Sequence, residues 1–154
     1  MRISFDLDDL LICDRALTLY EREPFFLLRY SIAREPLRLG TAQLIKTLQK
    51  YDCEVWIYTT SYHSPLAIRL WLCCYGISIQ GIINQTIHEK YFQNNAAPSK
   101  HPRAFGIDLH IDDSSGVKLE GEKYGFEVLV ISPEDRDWGD RVLNTVLRYI
   151  NAKK

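Results

Sequence analysis

A chain of 154 residues suits one domain with a substantial core and leaves little room for a second. Its 46% apolar and 25% charged residues are ordinary for a soluble globular protein. The formal net charge of -1 argues against a nucleic-acid binder, because affinity for a phosphate backbone needs a basic excess.

The chain opens on MRISFDLDDLL, where acids interrupt the apolar run at once, so it is no signal-peptide core. No apolar stretch approaches the roughly 20 residues of a membrane span, and a soluble, cytoplasmic protein is the expectation. Ile3 to Leu7 is a short apolar run that reads as a buried strand. Residues 12–38 hold Pro24 and Pro36, which forbid one continuous helix, and read as a short flap or insert. Gly40 to Tyr51 has Leu44, Ile45 and Leu48 at helical spacing. Glu54 to Tyr58 is rich in β-formers and reads as a second buried strand. After the loop TTSYHSP, Ser64 and Pro65 are a helix cap and first turn for a helix that stops at Gly76. Ile77 to Asn84 contains a third strand, and His88 to Pro102 reads as polar loop. Gly106 to Ile111 and Glu127 to Ile131 are the fourth and fifth strands, and Asp137 to Ile150 is an amphipathic helix with Val142, Val146 and Ile150 on one face. The cysteines Cys13, Cys53, Cys73 and Cys74 lack C-x-x-C spacing, so reduced, partly buried thiols are a better reading than zinc.

Apolar strands alternating with helices predict a single α/β domain spanning 1–154: three layers, Rossmann-like, with a central parallel sheet of about five strands and helices on both faces. In such sheets ligands sit at the carboxyl ends of the strands, and the polar residues of this chain cluster there. The first strand ends in Asp6, Asp8 and Asp9, the second in Thr59, Thr60 and Ser61, and the fourth in Asp112, Asp113, Ser114 and Ser115, with Lys100 just before it. If the first and fourth strands are neighbours, the carboxylates converge and raise one another's pKa values unless a cation or a lysine intervenes. An all-oxygen acidic site suits a hard ion, Mg²⁺ first of all, which also binds substrate phosphate. Thr59 and Lys100 are then candidate phosphate ligands.

The run Phe5-Asp6-Leu7-Asp8 resembles the first motif of the haloacid dehalogenase-like (HAD) superfamily, a hydrophobic strand followed by Asp-x-Asp. Val55 to Thr59 resembles the second, Pro98-Ser99-Lys100-His101-Pro102 the third, and Leu109-His110-Ile111-Asp112-Asp113-Ser114 the fourth. All four occur in order and together cover essentially the whole chain. The resemblance implies a Mg²⁺-dependent phosphatase in which Asp6 attacks phosphorus and Asp8 acts as acid and then base. It also implies that Thr59, Thr60 and Lys100 hold phosphate, and that Asp6, the Asp8 carbonyl and Asp113 hold the metal, with Asp112 a ligand or its partner. Leu10 departs from the Thr or Val frequent at that place. Residues 12–38 are too few for an independent cap domain of at least roughly 50 residues, so a capless type is implied. Its open site accepts a phosphorylated small molecule or macromolecule, or is enclosed by a second copy of the chain.

Blander readings stand beside these. The acids fit a solvated strand end, the threonines a helix cap, Lys100 a surface lysine, and Phe25 to Leu28 core. Arg29, Arg34 and Arg38 are either solvated or readers of a second anionic group. Two other functions share these residue types: a phospho-acceptor receiver domain, and a catalytically silent phosphate- or metal-binding module on the same fold.

Overall fold

Alternation along the first strand, Arg2–Phe5 (β1), decides what each face of the sheet becomes. Ile3 and Phe5 are fully buried in the large apolar core, and so is Ser4, on the opposite face. The same two-residue period runs through Glu54–Tyr58 (β2), with Val55 and Ile57 on the apolar side and Trp56 and Tyr58 on the other. It recurs in Leu109–Asp112 (β4), where Leu109 and Ile111 alternate with His110 and Asp112. The structure, a computed structural model, describes residues 1–13, 19–22, 35–93 and 97–152.

Gly81–Ile83 (β3) and Val128–Val130 (β5) complete a five-stranded parallel sheet in the order β3-β2-β1-β4-β5. The expected fold class is therefore what forms. The order reverses direction at β1, so the crevice between β1 and β4 is the topological switch point where ligands of such sheets bind. It also differs from the 2-1-3-4-5 order of the receiver sheet, which leaves that alternative without support. Phe5 pairs with both Ile57 and Ile111, and the ladder continues one residue further through Asp6 N–H to the Ile111 carbonyl at 2.9 Å. Asp6 thus stands level with Asp112.

Helices cover the sheet. Thr41–Lys50 (α1) buries Leu44, Ile45 and Leu48, and packs against Trp138–Ala152 (α5), which buries Trp138, Val142 and Val146. Pro65–Cys74 (α2) starts as expected, with Ser64 Oγ accepting from Ala67 N–H at 3.1 Å. Two helices lie outside the sequence expectation. Gln85–Phe92 (α3) occupies the start of the supposed loop from His88 to Pro102, where the Asn84 side chain caps its first turn and His88 is drawn into the interior. Ser115–Tyr124 (α4) packs on β5; its two glycines and weak apolar stripe hide it from periodicity. None of the helices among the described residues is long and apolar enough to cross a membrane. Cys73 is exposed and Cys13, Cys53 and Cys74 are buried.

Residues 14–18 and 23–34 lie outside the described residues, and with them Phe25 to Leu28, Arg29 and Arg34. Arg38 is described, and neither expected reading of it holds. It is 3% exposed and its guanidinium donates to the carbonyls of Leu10, Ser132 and Asp135 while lying 4.7 Å from the Trp138 ring centre. Buried and bonded to three backbone oxygens, it is a structural clamp.

Gly121 explains the glycine inside α4. A Cβ there would sit 2.6 Å from the Phe126 carbonyl oxygen and 3.2 Å from Val128, and a backbone atom cannot swing aside. Gly121→Ala is expected to lower the unfolding free energy by roughly 1–3 kcal/mol, read from urea denaturation midpoints.

Candidate active site

Three loops leave the sheet side by side and build the site. After β1 the chain turns sharply: Leu11 and Ile12 N–H both donate to the Leu7 carbonyl, at 3.0 and 2.8 Å, and Asp9 adopts a left-handed φ of 57°. This turn leaves Asp6 buried at the strand end and Asp8 exposed above it. Leu10 is fully buried, so its side chain belongs to the core. Asp8 meets Thr59 instead, whose hydroxyl donates to Asp8 Oδ2 at 3.2 Å and accepts from Ser61 N–H at 3.0 Å. Thr59 is buried and Thr60 exposed.

The centre is Lys100, only 2% exposed. Its ammonium lies 2.6 Å from Asp6 Oδ1 and 2.7 Å from Asp112 Oδ2. The contact to Asp112 is a hydrogen bond. That to Asp6 is a close ion pair, so the one buried ammonium meets both carboxylates. Carboxylate oxygens of Asp6, Asp112 and Asp113 lie within 4.8 Å of one another. The structure thus brings Asp6, Lys100, Asp112 and Asp113 together, with Asp8 and Thr59 joined at the rim.

Electrostatics separate the acids. Burial pushes Asp6 up to about 7, with Lys100 pulling down and Asp112 pushing up. Burial also works against the charged form of Asp112, but its hydrogen bond from His110 and the Lys100 ammonium overcome this and hold it well below the usual carboxylate range. Asp113 is raised by burial and by its acidic neighbours Asp112 and Asp9.

Sequence reasoning set His110 aside, yet it anchors the site from below. Burial pushes its imidazole down to about 4, so the ring is neutral at ordinary pH. Ionised Asp112 can only accept, so His110 Nε2–H donates to Asp112 Oδ2 at 2.9 Å, and Ser4 Oγ–H donates to Nδ1 at 2.8 Å. The signal is spacing: Ser4 and His110 each stand two residues before an acid, and they pair directly in the β1–β4 register. Ser114 N–H adds a third donor to Asp112, on Oδ1, at 2.8 Å.

A second buried polar chain holds the loop before Lys100. His101 N–H donates to the Tyr58 hydroxyl at 2.9 Å, and the hydroxyl in turn donates to His88 Nδ1 at 2.5 Å. On the far side of the loop Ser99 donates through its N–H and hydroxyl to Glu120, at 3.0 and 2.6 Å. Both residues flanking Lys100 are thereby fixed, which aims its side chain into the crevice.

No family model matches the chain, and no curated protein matches it in sequence. A solved structure does: a predicted HAD-like family hydrolase from Porphyromonas gingivalis, at a TM-score of 0.50 and 12% identity, covering 96% of this chain and 97% of that one. The two chains share a fold. That likeness agrees with the fold implied by the four motifs.

The donor set fits a hard divalent ion. It is all oxygen and anionic, with carboxylate oxygens of three aspartates within 4.8 Å of one another. It lacks the sulfur or imidazole donors that softer metals prefer.

Away from the acids, burial lowers the pKa of His88 from its ordinary value of about 6.5. The unfolded chain therefore binds this proton more readily, and the contribution of His88 to stability is full above about pH 6.5 and lost as pH falls below it. The unfolding free energy of His88→Gln is expected to fall less steeply between neutral pH and pH 5 than that of the parent protein, measured by urea unfolding across pH. Identical slopes would place the acid sensitivity elsewhere.

Proposed function

We propose that this protein is a Mg²⁺-dependent phosphohydrolase that works through a phosphorylated Asp6. One observation carries the reading: a single buried ammonium, Lys100, held between two strand-end carboxylates with a third within 4.8 Å. Such an arrangement is poised for a dianionic group and a divalent cation, since each relieves charge that the other leaves. The shared fold with a HAD-like hydrolase and the four motifs support the same reading.

In this reading an Asp6 carboxylate oxygen attacks phosphorus and the bond from phosphorus to the leaving oxygen breaks. Asp8 gives its proton to that oxygen. Asp8 then takes a proton from water, whose oxygen attacks the aspartyl phosphate, releasing inorganic phosphate and regenerating Asp6. Thr59, hydrogen-bonded to Asp8 Oδ2, orients this acid and base. Lys100 neutralises phosphate oxygens while keeping Asp6 anionic, and Thr60 is exposed for phosphate contact. Asp6, Asp113 and the Asp8 carbonyl would hold Mg²⁺, with Asp112 a further ligand or a partner fixed by His110. Bound there, the ion would neutralise charge building on the transferring phosphoryl group.

Release of phosphate from p-nitrophenyl phosphate should require Mg²⁺ and be lost on chelation. Asp6→Asn should lower kcat at least roughly a thousandfold; full activity in that variant would remove the nucleophile assignment. Metal binding is separable from turnover. Mg²⁺ should raise the melting temperature, with about 2.7 kcal/mol of stabilisation at a hundredfold excess over Kd, and Asp113→Asn should shrink that gain. Mg²⁺ stabilisation with no hydrolysis across a panel of phosphate esters would favour the silent binding module.

A further inference from the structure

A cleft of about 430 Å³ lies between the loop after β2, the helix α3 and the loop before Lys100, lined by Thr60, Tyr62, Gln85, His88, Glu89 and Ser99 among others. Its two ends adjoin the chemistry through the backbone. Thr60 follows Thr59, which touches Asp8, and Ser99 precedes Lys100, so each is one residue, about 3.8 Å of chain, from a group at the centre.

Resting on the phosphohydrolase reading, we propose that this cleft receives the leaving group of the ester and selects leaving groups that carry a cationic amine. Among the described residues Glu89 is the only carboxylate in the cleft wall, and His88, which also lines it, is pushed towards its neutral form by burial. The Tyr62 hydroxyl and the Gln85 amide both donate to Glu89 Oε1, at 2.7 and 2.9 Å. The carboxylate is thereby fixed in place and held below its ordinary pKa by those two bonds. The Tyr62 ring, 68% exposed, stands beside it. A fixed carboxylate next to an exposed aromatic face is the chemistry that recognises ammonium groups. Among the described residues, the cleft lining offers no Lys or Arg for a second anion. An ester with a carboxylate or second phosphate on its leaving group would meet Glu89 as a like charge.

The test compares kcat/KM, with Mg²⁺, for short and long aminoalkyl phosphates, glycerol phosphate and phosphoglycolate, alongside p-nitrophenyl phosphate. An aminoalkyl phosphate is expected to exceed both glycerol phosphate and phosphoglycolate at least tenfold. Glu89→Lys should invert the order of the amine- and acid-bearing esters, and Glu89→Gln should shrink their ratio at least fivefold. Turnover of p-nitrophenyl phosphate with glycerol phosphate or phosphoglycolate preferred, or ratios unmoved in both variants, overturns the amine assignment and leaves the phosphohydrolase standing. No Mg²⁺-dependent turnover of any of these esters overturns both.

Discussion

Three carboxylates share one small volume at the end of a parallel sheet, and a single lysine ammonium makes that arrangement tenable. Unpaired, Asp6 and Asp112 would repel across a poorly hydrated crevice and one would take up a proton. Lys100 lies within 2.7 Å of both, and much of the surrounding structure serves its position. Tyr58 and His88 hold the residue after it, Glu120 holds the residue before it, and His110 with Ser4 steadies the carboxylate it binds. Buried polar chains of this kind are stabilising only when every member is satisfied. Here Ser4, Tyr58 and Ser99 donate along the chain, and the Lys100 ammonium meets both Asp6 and Asp112.

The two faces of the sheet have different work. One carries Ile3, Phe5, Val55, Ile57, Leu109 and Ile111 into the main core, where full burial of each such side chain contributes about 1.5–3 kcal/mol. The other carries Ser4, Tyr58, His110 and Asp112, all buried. Strands fixed from the apolar face can hold a polar network rigidly on the opposite one, which is how a small chain keeps charged groups in one geometry.

Much of this was legible in the sequence. The strands, their order along the chain and the acids at their ends follow from short β-rich runs terminated by Asp, and β2 was read to its last residue. Lys100 was legible only through the spacing of four motifs; by itself it is one lysine in a polar loop. What escaped did so for physical reasons. The helix α3 has a mixed surface and buries His88, a residue more often exposed, and α4 carries two glycines that lower helix propensity. His110 looked isolated because Ser4, which bonds its Nδ1, is distant in sequence and meets it only through strand register, and because its bond to Asp112 follows only from the alternation along β4. From sequence alone Arg38 reads equally as a solvated cation or as a reader of a second anionic group, and only tertiary structure shows three carbonyls and an indole around it.

That clamp has a wider consequence. Arg38 holds the carbonyl of Leu10, in the turn that follows Asp8, and the carbonyls of Ser132 and Asp135, ahead of α5. The two terminal nitrogens of a rigid planar fork hold acceptors on two separate loops in fixed directions, a geometry that a lysine's compact ammonium does not provide. The turn that carries the acids is therefore stitched to the last helix of the chain. Damage to the packing of α5, far in sequence from every reacting group, would be felt as looseness in that turn.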